Sequence, residues 1–83
     1  MASENSDDFL ERSQLEGRYA NYFEVGHTAF EFLLDFGQVY QNDAEKHVHT
    51  RIITGPNYVK ALFELLGESI DRYERIFGTI QGD

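Results

Sequence analysis

Three histidines are the side chains best suited to metal or proton chemistry in a chain that has no cysteine. His47 and His49 stand two residues apart, so on a strand they point the same way with about 7 Å between them. Such a pair could hold Zn²⁺ if Asp43 or Glu45 folded back as a third ligand. Nothing in the spacing requires it, and the ordinary account is two solvent-facing strand histidines. No metal site is assigned, and His47 and His49 come nearest to one. His27 could act as a general base or ligand, although a histidine beside a turn more often hydrogen-bonds its own loop. Glu24, Glu31 and Asp35 could converge for acid–base work. With Arg18 and Arg51 beside them, they read instead as a structural charge lattice. The serines (Ser3, Ser6, Ser13 and Ser69) fit no strand–Ser–helix elbow, and the seven glycines are dispersed, forming no phosphate loop. These residues argue against an enzyme and imply no cofactor.

The elements that must position these groups are three strands and a helix. Arg18 to Thr28 and Ala29 to Tyr40 alternate with period two and are rich in aromatic and β-branched residues, which predicts two strands. Gly26 and His27 lie where a tight hairpin connection is expected. His47 to Thr54 alternates again and predicts a third strand. Thr54-Gly55-Pro56 then opens a helix, because proline is favoured at a first helical position where its missing N–H would be unpaired. Apolar residues at Val59, Leu62, Phe63, Leu66, Ile70, Tyr73 and Phe77 recur every three or four positions, and Gly78 ends the helix. Gly67 inside it costs about 1 kcal/mol relative to alanine and marks a close backbone approach. The expected fold class is α+β: a three-stranded antiparallel β-meander followed by one long C-terminal α-helix packed on the sheet. Residues 1–16 read as a flexible acidic N-terminal segment, and residues 17–83 as a single compact β-β-β-α domain.

Charge and size bound the partners. The net charge of −8 repels nucleic acid and anionic membrane alike. No apolar run approaches the roughly 18 residues of a membrane helix. Residues 1–8 lack the basic and apolar regions of a signal peptide, so a cytoplasmic location is expected. At 83 residues a single core is marginal, and without cysteine neither disulfides nor a cysteine-based zinc site can support it. A second subunit is the leading source of extra burial.

The two sheet faces sharpen that expectation. One face is expected to carry Phe23, Val25, Phe30, Phe32, Leu34, Phe36, Val48 and Ile52 beneath the helix. The other carries Tyr22, Leu33 and Ile53 among charges of both signs, with Arg51 set to pair with Asp35 or Glu24. The helix adds Tyr58, Leu65, Ile76 and Ile80, more apolar width than one small sheet needs. Tyr22, Leu33, Arg51, Ile53, Leu65 and Ile76 are therefore the interface candidates, with a homo-oligomer, a dimer foremost, as the expected state.

Several residues also form a familiar order: Tyr19-Ala20-Asn21, His27, Glu31-Phe32, Asp35-Phe36, Arg51-Ile52, Thr54, Pro56, Ala61 and Tyr73. Over Gly17 to Phe77 the chain resembles the small bacterial domain of unknown function 3467 family. Gly55 before the proline and Asn57-Tyr58 after it depart from the family's usual residues. The resemblance implies a compact module that occurs as a stand-alone protein, and it carries over no catalytic role. The expected function is a small non-catalytic oligomeric protein-interaction module, recruiting another protein through its open sheet face or free strand edge. The alternative is a small-ligand or metal-binding protein using His27, His47 or His49.

Overall fold

The computed structural model describes residues 11–42 and 44–82. Strands β1 (Tyr22–His27), β2 (Phe32–Val39) and β3 (Lys46–Thr54) precede helix α1 (Pro56–Phe77). The strands form one antiparallel sheet in the order β1-β2-β3. The α+β meander-then-helix arrangement is therefore as the alternation predicts. Residues 11–13 form a helical turn. The expectation of a flexible segment falls largely on residues 1–10, outside the described residues.

The first hairpin differs from the expected one. Gly26 and His27 are paired strand residues, opposite Leu33 and Phe32, and Gly78 is the glycine with positive φ among the described residues. The connection is instead Thr28–Glu31, where Thr28 Oγ1 accepts the N–H groups of both Phe30 and Glu31 at 3.1 Å. A threonine hydroxyl can organise a turn in this way without glycine. Phe30 consequently sits exposed at the hairpin tip and not on the apolar face.

A bulge alters the third strand. Phe36 pairs with Thr50 and Gly37 with Val48, which leaves His49 as the extra residue on β3. Because strand side chains alternate, one inserted residue transposes everything beyond it. Val48 therefore leaves the apolar face, and His49 joins Phe36 and Thr50 on it, the reverse of the expected assignment. Gly37 is the buried residue of the sheet, and its backbone lies hard against the bulged strand. At the other end of β1, Asn21 extends the ladder with its side chain. Its amide accepts from Val39 N–H at 2.8 Å and donates to Val39 O at 3.1 Å.

Helix α1 starts at Gly55-Pro56 and stops where Gly78, at φ 95°, donates its N–H to Glu74 O at 2.9 Å. Both ends match the sequence reading. Its seating on the sheet does not. No residue of α1 is buried, and the helix faces the sheet across an open cleft of about 410 Å³ whose apolar lining is Phe23, Val25, Leu34, Phe36, Leu62 and Leu66. The expected apolar stripe is present and faces the expected strands, but one helix does not close over them. Among the described residues no apolar side chain is buried.

Candidate protein-interaction surfaces

Two surfaces of different character result, one on each side of the sheet. On the outer side, Glu24, Asp35 and Arg51 lie in one row across the three strands. Arg51 grips Asp35 with two bonds, Nε to Oδ1 at 2.7 Å and Nη2 to Oδ2 at 2.8 Å. This fork-on-carboxylate geometry is the strongest form of the pair. The guanidinium holds the Asp35 carboxyl below its usual range, and the carboxylate in turn raises Arg51. One row away, Leu33 faces Ile53 directly. At the far end, Tyr22 donates its hydroxyl to Glu24, which raises the phenol's pKa. Lys46 sits 5.0 Å from the centre of the Tyr22 ring, a cation–π contact.

Tyr22, Leu33, Arg51 and Ile53 thus come together as expected on one face, where apolar groups alternate with held charges. Leu65 and Ile76 do not join them. They lie on α1, beyond the opposite side of the sheet, and both are well exposed. The six candidates form two surfaces and not one. The Lys46–Tyr22 contact escaped the sequence reading because the bulge sets which residues of β3 share the outer face.

The inner side combines the apolar cleft with a second, more polar hollow of about 300 Å³ lined by Glu16, Arg18, Ala20, Phe36, His49 and Thr50. Phe23 and Phe36 meet edge to face with ring centres 5.8 Å apart, a favoured aromatic geometry. His49 Nε2 lies 3.0 Å from Tyr19 O and Nδ1 lies 2.7 Å from Thr50 Oγ1. A carbonyl can only accept, so Nε2 is the donor to Tyr19 O. This bond ties the segment before β1 across the sheet to β3. His47 lies against Tyr40 (6.0 Å) and His27 against Phe32 (5.4 Å). Each ring has its own neighbours. Among the described residues no three metal-type side chains come together, and no helix is long and apolar enough to cross a membrane.

No curated protein and no solved structure matches the chain. The family described as "protein of unknown function (DUF3467)" matches residues 4–82, a wider span than the motif residues from Gly17 to Phe77 suggest. That span is nearly the whole chain, and the protein belongs to the DUF3467 family.

Proposed function

We propose that the protein is a small, non-catalytic, homo-oligomeric protein-interaction module, a dimer in its simplest form. The observation that carries this reading is the absence of any buried apolar side chain among the described residues, while the stripe of α1 and the inner sheet face stand open to each other. Ordering a chain costs about 1–2 kcal/mol per residue, and only burial of apolar surface offsets it on that scale. A second copy supplies matching apolar surface at fixed stoichiometry.

The outer face, with Leu33 and Ile53 between the Arg51–Asp35 pair and Tyr22, then remains available to another protein. Depleted single-sign charge and interleaved apolar groups suit such a contact. The cysteine-free composition suits a reducing compartment, the cytoplasm. Native mass spectrometry and sedimentation equilibrium test the reading. A dimer or higher oligomer at micromolar concentration is expected. A monomer throughout that range, melting cooperatively, contradicts it.

A further inference from the structure

Along α1, Val59, Phe63, Leu66, Ile70, Tyr73 and Phe77 follow strict alternating steps of four and three. That is the spacing of a helix–helix seam and not merely of a helix lying on a sheet. Leu62 and Leu66 line the cleft toward the sheet, while Phe63, Ile70, Tyr73 and Phe77 are exposed. Gly67 lies beside the middle of this seam. A helix-interior glycine is disfavoured, and a Cβ there would meet nothing within 4 Å. Nothing in the chain itself requires glycine at that position.

We infer that α1 pairs antiparallel with α1 of a second copy, crossing at Gly67 and Ser69 about a two-fold axis near Glu68. The inference rests on the self-association proposed above and fixes its geometry. In this register Val59 meets Phe77 of the second copy, Phe63 meets Tyr73, and Leu66 meets Ile70, so every seam residue has an apolar partner. On one flank Gly67 faces Gly67, and Lys60 faces Glu74 at both ends. Lys60 has no ion pair within the described chain, and the Glu74 carboxylate is already positioned by the Ile80 N–H at 2.9 Å. On the other flank Ser69 faces Ser69, and Leu62 faces Ile76. Small residues at the crossing on both flanks let the backbones approach closely. Because Leu62 lines the cleft, Ile76 of the second copy is brought to it and helps to close it. Sliding one heptad toward the N-termini leaves Tyr73 and Phe77 unpaired and sets Lys60 against Gly67. A parallel pair sets Glu74 against Ser69 and gives Lys60 no acid.

The chain has no cysteine, so spin labels can be placed singly at Ala61→Cys, Glu68→Cys and Arg75→Cys, three positions on the outward side of the seam. Dipolar distances between the two copies are expected to be shortest for position 68. For positions 61 and 75 they should be longer and equal, with an axial separation of about 21 Å. Three equal distances mean a parallel pair and overturn the inference, as does a minimum elsewhere. Sedimentation of the same proteins separates the two levels: a dimer without this distance pattern sinks the geometry alone. A monomer, with the cleft left to some other protein, sinks the self-association as well. Independently, Lys60→Glu is expected to weaken association about tenfold, and adding Glu74→Lys to restore it. Gly67→Leu should weaken it by on the order of tenfold to a hundredfold while the helix persists by circular dichroism. Unchanged association in Gly67→Leu overturns the crossing point.

Discussion

Gly37 is held by a steric contact that its neighbours in sequence do not announce. A Cβ there would lie 2.6 Å from His47 O and 2.9 Å from Val48 Cα, both backbone atoms. Gly37→Ala is therefore expected to cost about 1–3 kcal/mol in urea unfolding, since the bulged strand must shift. Gly67→Ala meets open space in the chain and makes the useful contrast. The Asp35–Arg51 pair predicts a pH dependence. The Asp35 carboxyl is lowered in the folded chain, so its stabilisation is full above the ordinary aspartate value of about 3.9. It is lost as the pH falls through the lowered value. In melting curves against pH, Arg51→Met should be less stable than the parent at neutral pH, and the two should converge in acid. This pair was legible in advance because alternation on β2 and β3 needs no knowledge of the bulge: both residues precede it along the ladder from Thr54. His49 and Val48 were misplaced because they lie at and beyond it. The available signal was Gly37 itself, a glycine interrupting an alternating strand.

At the scale of elements, the helix boundaries were readable because proline and glycine act locally at α1, and the cap geometry needs nothing distant. The first turn was not. Thr28 and Glu31 lie inside apparently continuous alternation, and the hydroxyl that organises the turn is chemically quiet in sequence. Thr28→Ala is expected to destabilise the hairpin by about 1 kcal/mol, because two N–H groups lose their acceptor. Thr28→Ser should retain most of that stability, and chemical denaturation of the three proteins checks both. Asn21 works similarly at the other end of β1, where a side-chain amide stands in for a backbone step.

For the molecule as a whole, the alternation located the apolar face of the sheet and the apolar stripe of α1 that faces it. The degree of openness was not legible, because periodicity reports which side of an element is apolar and not whether one neighbour suffices to cover it. The proposed self-association predicts a melting temperature that rises as the chain is concentrated. Calorimetry over a hundredfold range is the check, and a constant midpoint contradicts the dimer. Ile53→Asp, on the outer face, should leave the oligomeric mass unchanged, whereas Ile70→Asp on the helix seam should reduce it to that of a single chain.

An uncovered inner face also bears on how long a molecule survives. A chain whose apolar surfaces are closed only by another copy is open to proteases whenever it is alone, because cleavage follows the population of the open form. Under the proposed self-association, chains that pair are expected to outlast unpaired ones, and a pulse-chase comparison of the parent with Ile70→Asp checks it.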